Sequence, residues 1–183
     1  MTKSTLSGIY TDSFRSNWNN LAFSDYEGKD FLYSDIARII KSLHLYYQIM
    51  GIRKGDKIAV LGRNSAHWGA IFLSAISYGA LIVPILPDFN NENTNHIINH
   101  SESKILFCSK SLVDKVKAKD APLLEGLVIL EDFSMNWAKD MNNIYKLDDA
   151  HKYYRENAPV KDDFSFTEWD REDPVIISYT SGS

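Results

Sequence analysis

Five short runs of consecutive apolar residues constrain the fold of this chain more than any other feature. They are Ile58-Ala59-Val60-Leu61, Leu81-Ile82-Val83, Ile105-Leu106-Phe107-Cys108, Leu127-Val128-Ile129-Leu130 and Val175-Ile176-Ile177. Runs without polar alternation suit strands covered on both faces, as in a parallel sheet. Helical patterns lie between most of them. Ile36, Ile39, Ile40, Leu43, Tyr47 and Met50 recur at helical spacing, with Ser34 placed as N-cap and Gly51 where a left-handed C-terminal cap belongs. Trp68, Ile71, Phe72, Ala75 and Ile76 form a second stripe, closed by Gly79. Residues 91–100 and 111–119 read as shorter, more polar helices, and Tyr153 and Tyr154 anchor another over residues 148–157, ended by Pro159. An acidic loop through Asp162 and Asp163 follows. The alternation predicts an α/β domain, a doubly wound, mainly parallel sheet flanked by helices with right-handed crossovers.

Composition removes several function classes. At 183 residues and 44% apolar content, the chain can bury roughly 70% of its unfolded surface and needs no disulfide or metal to fold. A net charge of −4 without a basic run argues against nucleic-acid binding, which draws its affinity from Lys and Arg on phosphates. The N-terminus has no apolar signal core, and no stretch approaches the ~20 apolar residues of a transmembrane span. A single cysteine, Cys108, fits a reducing compartment. A soluble, cytoplasmic protein is expected.

Few residue patterns carry chemistry. In Val175-Ile176-Ile177-Ser178-Tyr179-Thr180-Ser181-Gly182-Ser183, a strand runs into a turn of small residues. Such a turn presents backbone N–H groups and hydroxyls to an anion, and small side chains let phosphate oxygens come close. The plain alternative is a frayed Ser/Gly tail. Gly51 and Gly55 lack the Gly-Lys-Ser/Thr ending of a Walker loop and read as a helix-to-strand turn. His96 and His100 share a helical spacing but lack a neighbouring Glu and a third ligand, so no metal site is assigned. Cys108 reads as a buried, inert thiol. Glu168, Asp170, Glu172 and Asp173 read as a solvated face, and Tyr46, Tyr47, Trp68 and Phe72 as core.

Tyr179-Thr180-Ser181-Gly182-Ser183 resembles the start of the phosphate-binding loop of adenylate-forming (AMP-binding) enzymes, whose pattern continues Thr-Gly-x-x-Lys-Gly. Upstream pieces resemble that superfamily in the same order. They are Phe31-Leu32-Tyr33-Ser34-Asp35-Ile36, the Gly51-x-x-x-Gly55-Asp56 turn into Lys57-Ile58-Ala59-Val60, Asn64-Ser65 with Trp68, and Tyr78-Gly79-Ala80 with Val83-Pro84. The resemblance is nearest to long-chain fatty-acid–CoA ligases. It implies that residues 1–183 form a partial N-terminal α/β subdomain of an AMP-binding domain, ending inside the phosphate-binding loop.

The implied parent activity is ATP- and Mg²⁺-dependent conversion of a carboxylic acid, a fatty acid above all, into an acyl-adenylate, followed by transfer to coenzyme A. The resemblance places Thr180, Ser181, Gly182 and Ser183 on the nucleotide phosphates and supplies no catalytic residue or metal ligand within this chain. The chain alone is therefore expected to be inactive and, having exposed apolar surface, to self-associate. Two alternatives stay open: a non-catalytic nucleotide- or acyl-binding α/β module, and an adenylating ligase for an amino or aryl acid.

Overall fold

A computed structural model of the chain describes residues 5–168 and 172–180. Helix α1 (Leu6–Ser16) leads into a two-stranded antiparallel hairpin, β1 (Leu21–Ser24) and β2 (Asp30–Leu32), and then the long helix α2 (Tyr33–Ile49). The central body follows as β3 (Lys57–Leu61), α3 (Ala66–Tyr78), β4 (Leu81–Ile85), α4 (Asn91–His100) and β5 (Ser103–Cys108). Two short 3₁₀ turns (Lys110–Lys115 and Ala118–Asp120) lead to β6 (Gly126–Ile129), β7 (Met135–Ala138) and α5 (Asn143–Glu156).

The five strands β3 to β7 form one sheet in the order β4-β3-β5-β6-β7. The first four are parallel and β7 is antiparallel to β6. Side chains alternate across a strand, so Ile58 and Val60 face one layer while Ala59 and Leu61 face the other. Ile58, Val60, Ile105 and Phe107 pack with α2, α3 and α5, and Ala59, Leu61, Leu106 and Cys108 pack with α4. Two covered faces explain the unbroken apolar runs, and the doubly wound, mainly parallel architecture is the observed one.

Several local expectations change. Ser34 is not an N-cap: α2 starts at Tyr33, directly after β2. Its first N–H groups are already taken, Tyr33 donating to the Asn20 carbonyl (3.1 Å) and Ser34 to that of Trp18 (3.0 Å). Residues 111–119 form 3₁₀ turns, not an α-helix. Asn95 interrupts them, its amide donating to the Lys115 carbonyl and its oxygen accepting from the Lys117 N–H, both at 2.7 Å. Helix α5 begins earlier than the aromatic pair suggests. Among its described side chains Leu147 and Ala150 are buried, whereas Tyr153 is 51% exposed.

The turns that set the sheet behave as read. Gly51 (φ 71°) and Gly55 (φ 86°) are both left-handed, as is Gly79 (φ 109°). Directly after Gly55, the Asp56 carboxylate accepts from the Arg53 N–H and from Lys104 Nζ, each at 2.7 Å. This is a helix-to-strand turn closed by side-chain bonds. Tyr46 and Tyr47 are fully buried, but Trp68 and Phe72 are only partly so, stacked on each other at 5.6 Å beside an apolar groove.

Candidate functional site

The last apolar run does not lie inside the sheet. Residues 175–177 pair with the outer side of β4 through a single parallel bridge, Ile82 with Ile176. Ile82 N–H donates to the Val175 carbonyl and Ile177 N–H donates to the Ile82 carbonyl, both at 3.0 Å. The expected fully buried strand is thus a one-sided edge segment: Val175, Ile177 and Tyr179 are half-buried, and Ile176, Ser178 and Thr180 are exposed. Its apolar run was misread because only alternate residues meet the core.

Side chains fasten this segment near both ends. Asp173 accepts from Lys54 Nζ at 2.6 Å at the surface; Glu168 and Glu172 are exposed, in line with a solvated face, and Asp170 lies outside the described residues. At the other end the Tyr179 hydroxyl and His100 Nδ1 are hydrogen-bonded at 2.8 Å, with the two rings edge to face. Partial burial pushes the Tyr179 phenol up, keeping it protonated. His96 stacks near His100 at 5.4 Å, but the His100 nitrogen is committed to Tyr179. Of the four residues assigned to nucleotide phosphates, Thr180 is described and exposed; Ser181, Gly182 and Ser183 lie outside the described residues.

A second feature sits where the sequence offered only Asn64-Ser65, as part of the family resemblance and with no role in a site. The chain order places β4 on one side of β3 and β5 on the other, so the connections diverge between the carboxyl ends of β3 and β5. In doubly wound sheets ligands bind at that divergence. A crevice of about 730 Å³ opens there, bordered by Arg63, Asn64, Asp88, Ser111 and, from the hairpin, Asp25 and Lys29. Behind two of its lining residues, Gly62 leaves no room for a side chain, since a Cβ there would stand 2.6 Å from Ser109 Oγ and 3.0 Å from Leu130 Cδ1.

The acids of this crevice are partly committed to structure. Asp25 accepts from the Ala66 N–H at the start of α3 (2.7 Å), and Glu131 from the Lys110 N–H (3.0 Å). Burial lowers the His67 pKa, opposed by the Asp25 charge, so its ring is neutral at pH 7. Exposed Arg63 and Lys29 are the available cations. The crevice can therefore receive a polar group, with Asp25, Asp88 and Glu131 standing beside its two cations. Cys108, beside it, is buried, and burial followed by the Glu131 charge pushes its thiol up to about 12. The missed signal was Gly62-Arg63-Asn64-Ser65 directly after a buried strand.

The chain matches the family described as AMP-binding enzyme over residues 13–183. It belongs to that family. A probable CoA ligase of Humulus lupulus is 25% identical over 172 residues, covering 93% of this chain and 30% of its own length. Fatty acyl-CoA synthetase A of Dictyostelium discoideum is 25% identical over 139 residues, covering 73% of this chain and 20% of its own. The structure of an anthranilate CoA ligase in complex with anthranoyl-AMP superposes with a TM-score of 0.76 at 16% identity, over 98% of this chain and 32% of that one. The chain thus spans about a third or less of the length of these proteins. The AMP-binding fold is shown, and among the described residues no helix is long and apolar enough to cross a membrane.

Proposed function

We propose that this AMP-binding chain is the N-terminal part of an ATP-dependent acyl-CoA synthetase, and that residues 180–183 open its phosphate-binding loop. The carrying observation is that an edge segment tied to β4 delivers Tyr179 and exposed Thr180 into Ser181-Gly182-Ser183, within a chain matched to the family over residues 13–183. The Thr180 hydroxyl suits phosphate oxygens, and a small-residue turn leaves backbone N–H groups accessible to them. ATP, when bound, supplies the electrophilic phosphorus that a substrate carboxylate attacks, giving acyl-adenylate and pyrophosphate; the coenzyme A thiol then takes the acyl group and AMP leaves. The described residues include no group of three or more carboxylates, imidazoles or thiols that could hold Mg²⁺. Mg²⁺ would accompany the nucleotide phosphates.

The substrate we favour is a long-chain fatty acid; the Dictyostelium relative, a fatty acyl-CoA synthetase, supports the fatty-acid part of that reading. The likeness to an anthranilate CoA ligase supports an aryl acid as the second reading. Cys108, the single cysteine, supports a reducing, cytoplasmic setting. The test is carboxylate-dependent ATP–pyrophosphate exchange by the full product of the reading frame that contains this chain. Exchange stimulated by fatty acids supports the proposal. Stimulation by aryl acids alone transfers it to the second reading, and no exchange with any acid overturns it.

A further inference from the structure

We propose that Lys115 is a positioning residue that braces the crevice beside β3, fixing the gap between its two walls and, through that gap, the affinity for the one substrate that enters there. The inference rests on the ligase reading. One wall is the loop from β4 to α4, which contributes Pro87 and Asp88; the other is the 3₁₀ turn after β5, which contributes Ser111 and Leu112. β4 and β5 lie on opposite sides of β3, so no strand pairing joins the two walls. A site made of two separately connected loops keeps its width only if a side chain ties them before the ligand arrives.

Lys115 spans that gap. It is half-buried at the end of the turn, and its Nζ donates to the Pro87 carbonyl at 2.7 Å and to the Phe89 carbonyl at 2.8 Å. These two carbonyls bracket Asp88, a lining residue of the facing wall. Among the described residues Lys115 makes no ion pair, so its charge is spent on the loop, in hydrogen bonds roughly twice as strong as neutral ones. Asn95 holds the brace at its root, through its bonds to the Lys115 carbonyl and the Lys117 N–H, both at 2.7 Å. Asn95 belongs to α4, which starts directly after the loop. Loop, helix, turn and Lys115 side chain thus close a ring.

The test uses the full product of the reading frame that contains this chain, in steady-state kinetics with MgATP, coenzyme A and the acid giving the fastest ATP–pyrophosphate exchange, each varied in turn. Lys115→Met keeps the apolar stem and removes the donors, Lys115→Arg restores donors, and Asn95→Leu loosens the root while leaving Lys115 intact. Thermal melting verifies that each folds. Lys115→Met should raise KM for one substrate alone roughly three- to tenfold, the size of one ordinary hydrogen bond, with kcat and the other two KM values unchanged. Lys115→Arg should recover most of that loss. Asn95→Leu should raise the same KM, and the two changes combined should be less than additive, because they break one ring. Unchanged KM values in Lys115→Met, a loss confined to kcat, or equal losses for all three substrates refute the brace while the ligase reading stands. Should Lys115→Met fail to fold, Asn95→Leu decides: a rise in KM for one substrate alone supports the brace, and unchanged KM values refute it. No turnover by the unaltered enzyme with any acid overturns the ligase reading, and this inference falls with it.

Discussion

Replacing Gly62 by alanine probes the close approach on which the crevice between β3 and β5 depends. Gly62 follows β3 directly and is buried, and Ser109 N–H donates to the Leu61 carbonyl at 2.8 Å, drawing the two strand ends together. A new Cβ would lie 2.6 Å from Ser109 Oγ and 3.0 Å from Leu130 Cδ1, both inside van der Waals contact. Overpacking of this kind costs about 1–3 kcal/mol. For a chain of this size that corresponds to a melting-point loss of roughly 3–10 °C. Urea unfolding of the single variant, paired with Gly62→Ala in a Ser109→Ala background, measures it. Removing Oγ leaves Ser109 Cβ at 3.6 Å, an ordinary contact, so the double variant should regain about half or more of the loss. Wild-type stability in Gly62→Ala, or strict additivity in the pair, would refute the close-approach argument.

Three further outcomes follow from other parts of the structure. Burial, with Lys41 adding repulsion, lowers His44 to about 4 in the folded chain against 6.5 in its absence; the neutral ring is the folded form. Its contribution is therefore complete above pH 6.5 and is lost as pH falls toward 4, by at most about 3 kcal/mol; His44→Gln should flatten that part of a stability–pH curve, and an unchanged slope would contradict the assignment. Gly79→Ala places a Cβ at φ 109° and should cost roughly 1–2 kcal/mol in urea unfolding, with no cost refuting the left-handed cap. Leu6 and Ile9, each 52% exposed, and the partly open Trp68–Phe72 stack predict concentration-dependent association by light scattering, and a constant monomer mass would contradict it.

How legible these features were depended on how many forces spoke at each residue. The strands at 58–61, 105–108 and 127–129 were evident because burial on both faces removes alternation, and α3 because an apolar stripe and Gly79 agree. The hairpin was not evident: β1 has four residues and β2 three, and their pairing depends on the turn where Gly28 N–H donates to the Asp25 carbonyl. Helix α1 carries its signal in Thr5, whose side chain accepts from Gly8 N–H, with Phe14 buried, but only one buried aromatic marks its inner face. The family's loop was visible as a residue pattern, whereas its anchorage was not, because His100 and Tyr179 stand 79 positions apart. Nothing local foretells such a contact. The switch-point crevice was hidden for the same reason, since strand order is a property of the sheet and not of any one run.

The central claim, that residues 180–183 begin a nucleotide-phosphate loop in this AMP-binding chain, is tested most directly by titrating the ¹⁵N-labelled chain with MgATP and following its backbone amide resonances. The account predicts saturable shifts concentrated at the amides from Tyr179 onward, reproduced by pyrophosphate, absent with adenosine and weakened by Thr180→Ala. Saturable shifts confined to other parts of the chain, with residues 179–183 unmoved, would contradict it.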